Sequence, residues 1–122
     1  MLTKDKIPFI DENRLMTEAL KIMTVKKLGT LIVRNKRKNT TGIITDGQIR
    51  RFNSKNININ SLKVKDVMTK NPIKVDKNML ATKALAIMNE KKITSLCVYH
   101  QKKRLITIGI LHIHNILNKK IY

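Results

Sequence analysis

The chain states nearly the same sequence twice. Glu18-Ala19-Leu20-Lys21-Ile22-Met23 returns as Lys83-Ala84-Leu85-Ala86-Ile87-Met88, and Lys27-Leu28-Gly29-Thr30-Leu31-Ile32-Val33 returns as Lys92-Ile93-Thr94-Ser95-Leu96-Cys97-Val98. In each half a glycine then opens a second apolar run, Gly42-Ile43-Ile44-Thr45 and Gly109-Ile110-Leu111-His112. Such a repeat restricts the fold to two copies of one supersecondary unit. A chain of 122 residues suits one domain, and half of it would bury too little surface to stand comfortably alone. The two copies are therefore expected to share a core, with residues 1–55 as the first, 56–63 as a linker and 64–122 as the second.

The unit reads as strand, helix, strand, strand, helix. Ile7-Pro8-Phe9-Ile10 is a short apolar leading strand, and Asp11 or Asn13 is available to cap a helix on which Leu15, Ala19, Ile22 and Met23 share one face. Gly29 follows the last periodic residue, where a glycine takes the left-handed turn that ends a helix. Thr30-Leu31-Ile32-Val33 is a buried strand, Arg34 to Thr41 a polar hairpin connection, and Gly42-Ile43-Ile44 the returning strand. Thr45-Asp46-Gly47-Gln48 fits a capping box that opens a second helix carrying Ile49, Arg50, Arg51 and Phe52.

The asparagine-rich stretch from Asn53 to Ser61 separates the copies. Val64 to Thr69 is a lead-in turn. Asn71-Pro72-Ile73-Lys74-Val75 is the second leading strand, because Pro72 biases the chain away from helix. Asp76 or Asn78 then caps a helix carrying Met79, Leu80, Ala84, Leu85, Ile87 and Met88. Ile93 to Tyr99 and Ile106 to Leu111 give the paired strands, and a last helix starts at Ile113. The six methionines are expected as core filler, not as a metal or cofactor box. Cys97, the one cysteine, lies inside an apolar run and reads as a small core side chain.

Lys and Arg number 26 against 8 Asp and Glu, a formal charge of +18. A field of that size invites nucleic acid or an anionic membrane. The basic residues are nevertheless spread along the whole chain, and only Phe9, Phe52, Tyr99 and Tyr122 offer rings for stacking. The charge is therefore read as a solvated surface, with no nucleic-acid partner and no membrane partner. It still draws small phosphorylated or carboxylated anions toward any cleft. No apolar run reaches the roughly 18 residues of a membrane span and no signal-peptide stretch follows Met1, so a cytoplasmic location is expected.

On Val64-Lys65-Asp66-Val67-Met68 followed by Asn71-Pro72-Ile73, the two Ala-Leu-x-x-Met helices, and the closing Gly-Ile strands, the chain resembles a tandem pair of CBS domains, a Bateman module. Gly42 to Arg51 and Gly109 to Leu117 are, within that family, similar to the C-terminal CBS pair of bacterial arabinose-5-phosphate isomerases. The resemblance spans residues 7 to about 118. It implies an α/β fold of two β-α-β-β-α motifs packed as a pseudo-twofold pair. It also implies regulation rather than catalysis, since the sugar-phosphate chemistry of such isomerases belongs to a separate sugar-isomerase (SIS) domain. Those enzymes interconvert ribulose 5-phosphate and arabinose 5-phosphate on the way to the Kdo sugar of lipopolysaccharide.

Strand ends meet helix N-termini at Thr45 and again at His112, and a helix N-terminus offers backbone N–H groups and a positive dipole end to an anion. Two such ends are expected to face each other across a cleft. The candidate ligand contacts are Gly29, Thr30, Thr45, Asp46, Gln48 and Arg51 in the first copy, and Ile73, Thr94, Ser95, His112, His114 and Asn115 in the second. Ligand-binding CBS pairs place an Asp three residues after the phosphate-side Thr or Ser to hold ribose hydroxyls. This chain departs from them with Gln48 and Asn115, neutral amides that accept from a diol without the help of a charge.

His112 and His114 on an extended segment would present both rings to one face, with His100 across the strand pair as a third group for zinc. No Cys or carboxylate stands at metal spacing beside them, so capping or an anion contact is preferred and no metal is assigned. There is no nucleophile constellation, no glycine-rich phosphate loop among four glycines, and no close carboxylate pair, so no catalytic residues are assigned. The expected function is a non-catalytic regulatory module without a cofactor. It would bind an adenine nucleotide or a sugar nucleotide such as CMP-activated Kdo, form a homodimer, and modulate an isomerase domain in cis or trans. The alternative is a purely structural dimerisation module that binds nothing small.

Overall fold

Alternation of apolar strand runs with Ala-Leu-x-x-Met helices produces the expected strand, helix, strand, strand order in each copy, with short elements added ahead of each leading strand, including a helical turn and a strand where Val64 to Thr69 was expected only as a turn. The computed structural model describes residues 2–3, 6–26 and 29–113. In chain order they form β1 (Leu2–Thr3), β2 (Phe9–Asp11), α1 (Met16–Lys26), β3 (Thr30–Arg34), β4 (Thr40–Thr45) and α2 (Asp46–Ser54). After a 3₁₀ turn at Ile59–Ser61 come α3 (Val64–Val67), β5 (Thr69–Lys70), β6 (Lys74–Asp76), α4 (Ala81–Lys91), β7 (Ser95–Tyr99) and β8 (Gly109–His112). The final helix expected from Ile113 to Leu117 lies, past its first residue, outside the described residues.

The chain divides into two bodies, Pro8–Pro72 and the combination of Met1–Ile7 with Ile73–Tyr122. In the first, the sheet order is β2-β3-β4-β5, with β2 parallel to β3 and the other pairs antiparallel. In the second, the order is β1-β8-β7-β6, with β6 parallel to β7. Each copy therefore has its leading strand joined through a helix to a parallel neighbour, which then returns as a hairpin. The outermost strand comes from the other copy in both cases: β5 lies near the start of the second copy yet pairs with β4, and β1 lies at the start of the first copy yet pairs with β8.

The repeated helix motif has a packing reason. Ala19 and Ala84 are fully buried, and Met23 and Met88, four residues on and so on the same face, are 7% and 1% exposed. An alanine side chain lets the helix approach its sheet closely, and the flexible methionine fills the space one turn later. In the first body these residues join Ile10, Leu31, Val33 and Ile44. In the second they join Val75, Leu96 and Val98. Cys97 is 1% exposed, as its apolar run requires, and burial pushes its thiol pKa up to about 11 against the opposing effects of a hydrogen bond with Thr107 and the nearby Lys74 charge.

The expected linker, 56–63, is structured. Ile59 is buried in the core of the first body with Val64 and Val67, and the Leu62 carbonyl accepts the Met16 N–H at 2.9 Å, one of the donors at the start of α1. The helix caps also differ from expectation. Asp11 Oδ1 accepts the Asn13 N–H and Asp76 Oδ1 accepts the Asn78 N–H, each at 2.8 Å, closing turns that come before the helices instead of capping them. The N-cap of α4 is Leu80, which makes no side-chain cap bond and is 72% exposed. Ile106 to Ile108, expected as strand, are irregular, although the Ile108 N–H still reaches the Val98 carbonyl at 2.8 Å.

Candidate functional site

The end of the first body's sheet at which β4 runs into α2 gathers all six residues singled out in the first copy. Gly29 has φ +66°, the left-handed turn foreseen for it, and a side chain there would also meet Asp46 Oδ2 at 2.7 Å. Its carbonyl accepts the Asp46 N–H at 3.1 Å. Thr30 is buried and lies opposite Thr45 in the β3–β4 ladder. Thr45 is the N-cap of α2, with extended backbone, and forms the full capping box with Gln48.

Gln48 is 6% exposed, and both ends of its amide have partners inside this body. Its Oε1 accepts the Thr45 N–H at 2.7 Å, and its Nε2 donates to the Thr69 hydroxyl. A ligand diol at this position would meet an amide already committed to the cap. Asp46 and Arg51 are exposed. The position a Cβ of Gly47 would take lies 3.6 Å from Arg51 Nη1, 3.9 Å from Arg50 Nη2 and 3.8 Å from the Thr45 hydroxyl. Two guanidinium groups thus fold back over the first turn of α2 and add to the positive end of its dipole. Gly47 and Arg50 were not singled out from sequence, although their spacing of three and four residues from Arg50 and Arg51 to Gly47 places them on one helical face.

The second body repeats this geometry. Ser95 is buried and pairs with His112 as Thr30 pairs with Thr45. The Ile113 N–H donates to the Thr94 carbonyl at 2.7 Å, the counterpart of the bond from Asp46 to Gly29. Thr94 is exposed and His112 half-buried. Ile73 precedes β6 at this end, and its carbonyl accepts the Cys97 N–H at 3.2 Å. Four of the six second-copy candidates are therefore brought to one sheet end, while His114 and Asn115 lie outside the described residues.

His100 does not join them. It follows β7 at the far end of the β7–β8 ladder, five residues and some 16 Å of extended chain beyond Ser95, and its Nδ1 accepts the Lys102 N–H at 3.2 Å. Among the described residues no group of three or more His, Cys, Asp or Glu side chains is gathered for a metal ion. No helix among them is long and apolar enough to cross a membrane.

Two β-α-β-β motifs, each closing its hairpin with the same strand-end geometry, define a tandem repeat module. The CBS domain family matches residues 2–55 and 64–121, and the chain belongs to that family. It is 37% identical over 118 residues to the uncharacterized protein RP505 of Rickettsia prowazekii, an alignment covering 97% of this chain and 35% of the relative. It is 35% identical over 117 residues to arabinose 5-phosphate isomerase KdsD of Yersinia pestis, covering 96% of this chain and 35% of that enzyme. The chain spans about a third of the length of these curated relatives. Its fold is similar to that of CBSX2 in complex with AMP, with a TM-score of 0.83, 19% identity, and coverage of 99% and 92% of the two chains. It is equally similar to the CBS domain pair of protein MJ0100 in complex with 5′-methylthioadenosine and S-adenosyl-L-methionine, with a TM-score of 0.83, 19% identity, and coverage of 97% and 90%.

Proposed function

We propose that this chain is the regulatory CBS pair of an arabinose-5-phosphate isomerase-like protein, binding a nucleotide at the strand–helix junctions of Thr45 and His112. The single observation that carries the reading is the start of α2, where the cap of Thr45 and the returning guanidinium groups of Arg50 and Arg51 surround the vacant side-chain position of Gly47. A phosphate is the group such a junction suits, through backbone N–H groups, the helix dipole and bidentate guanidinium edges together. The same strand-end geometry recurs at Ser95 and His112.

The fold neighbours are complexes with AMP and with S-adenosyl-L-methionine, which supports an adenine-bearing ligand. The isomerase relatives support a sugar nucleotide of the same pathway, CMP-activated Kdo, as a feedback signal. In this reading the module acts in the cytoplasm as a homodimer, has no catalysis of its own, and passes its ligand state to a sugar-isomerase domain in cis or trans.

A thermal-shift screen against AMP, ATP, CMP, CMP-activated Kdo and arabinose 5-phosphate, with inorganic phosphate as the charge control, tests it. A ligand held well above its dissociation constant stabilises the folded state by mass action, so one nucleotide class is expected to raise the midpoint by several degrees. A flat screen, or an equal response to phosphate, would overturn the sensor reading in favour of a structural dimerisation module.

A further inference from the structure

The first body has a second cationic cleft at the end of its sheet remote from Thr45. Its volume is about 500 Å³, and it lies between the ends of β2 and β3, the outer side of α1 and the hairpin that leads to β4. That volume falls in the range of roughly 300–1,000 Å³ usual for small-molecule sites. β3 runs from Thr30 at the nucleotide end to Arg34 in this cleft, four residues and about 13 Å away. The two places are therefore distinct within one body.

The Arg34 side chain is held, and so is the backbone turn that carries Lys36 and Lys38. The Arg34 guanidinium carbon sits 4.1 Å from the centre of the Phe9 ring. Stacking uses the face of the guanidinium and leaves its N–H edges for an acceptor. Lys36 and Lys38 ride on a turn that Asn35 fixes: its Oδ1 accepts the Arg37 N–H at 3.0 Å and the Asn39 N–H at 3.1 Å, and its backbone N–H donates to the Asn39 carbonyl at 3.0 Å. The turn holds Lys38 at φ +66°, a conformation that side chains other than glycine rarely take.

Acidic groups cancel only part of this charge. Glu18 is 3.5 Å from Arg14, which leaves Arg34, Lys36 and Lys38 against the single charge of Asp11, whose carboxylate accepts the Asn13 N–H. Among the described residues no carboxylate pairs with Arg34, Lys36 or Lys38. Phe9 and Ile22 give the cleft an apolar side against which an organic group can rest.

We infer that this cleft binds a small organic phosphate, its anion on Arg34, Lys36 and Lys38 and its apolar portion against Phe9 and Ile22. A stacked Arg34 loses little side-chain freedom on binding and a fixed turn little backbone freedom, which is what separates a site from a diffuse basic surface.

The test is an NMR titration of the full chain with phenyl phosphate and, separately, inorganic phosphate, at about 0.15 M salt so that long-range attraction is screened. Saturable amide shifts are expected at Asp11, Arg34, Lys36 and Lys38, with phenyl phosphate binding at least about tenfold more tightly. Arg34→Gln should weaken it by about tenfold. The double substitution Lys36→Gln with Lys38→Gln, on an exposed turn that leaves the core intact, should weaken it by at least about fivefold. Shifts spread over lysines throughout the chain, equal affinity for the two phosphates, shifts confined to Thr45 and Gln48, or indifference to the charge-removing substitutions would each overturn the inference.

Discussion

Thr45 and Gln48 cap one another: the Thr45 N–H donates to Gln48 Oε1 at 2.7 Å, and the Gln48 N–H donates to the Thr45 hydroxyl at 3.4 Å. The pair satisfies donors at the start of α2 and so fixes the junction on which the proposed phosphate site rests. Thr45→Ala should cost about 1 kcal/mol, read as a lower urea midpoint at unchanged slope, while Thr45→Ser should keep most of it. Equal loss for both substitutions would show that the methyl group, not the hydroxyl, matters here.

Two glycines should answer to alanine with opposite signs. A Cβ on Gly42 would stand 2.9 Å from the Thr69 carbonyl and would also strike the Met68 side chain, where β5 crosses close to β4. Gly42→Ala should cost about 1–3 kcal/mol. At Gly47 the nearest atom would be 3.6 Å away and the backbone is helical, so Gly47→Ala should stabilise by about 0.5–1 kcal/mol through the unfolded chain. Chemical denaturation of both variants decides the matter, and a stabilising Gly42→Ala would contradict the close crossing.

Cys97 makes stability depend on alkaline pH. Its folded pKa is raised from 9.0 to about 11, so the unfolded chain releases the thiol proton first. The thiol's contribution is complete below pH 9 and is lost as pH rises toward 11. At pH 10 the loss amounts to about 1 kcal/mol. Urea unfolding at pH 8 and pH 10 should show that difference in the wild type and its absence in Cys97→Ala, over and above the general effect of lysine titration. A native chain should also react with thiol reagents only at the rate at which it opens.

Val25, 75% exposed on α1, is a large apolar side chain without cover within the described residues. If the proposed homodimer covers this face of α1, Val25→Ser should shift the sedimentation profile toward monomer without lowering the urea midpoint measured at high dilution. A wild-type chain that sediments as a monomer at every concentration would sink the dimer.

What could be read from sequence was local. The Thr45–Gln48 box, the left-handed Gly29 and the buried strand Thr30–Val33 depend on neighbours within a few positions, and each stands where spacing placed it. What escaped was tertiary. Gln48 looked like a ligand-facing amide because nothing in its neighbourhood shows that Thr69, 21 residues on, accepts from it. Ile59 looked like part of a polar linker because one isoleucine among asparagines has no periodicity, yet it is 4% exposed in the core. Arg34 and Phe9 lie on different strands, and only the parallel register that sets Phe9 opposite Ile32 brings them together.

The two outer strands make each sheet depend on both copies. Leu2–Thr3 completes the sheet built from the second copy, and Thr69–Lys70 completes the sheet built from the first. Each body is thus assembled from residues of both repeats, and a cut between residues 55 and 64 would leave each half one strand short of a complete sheet.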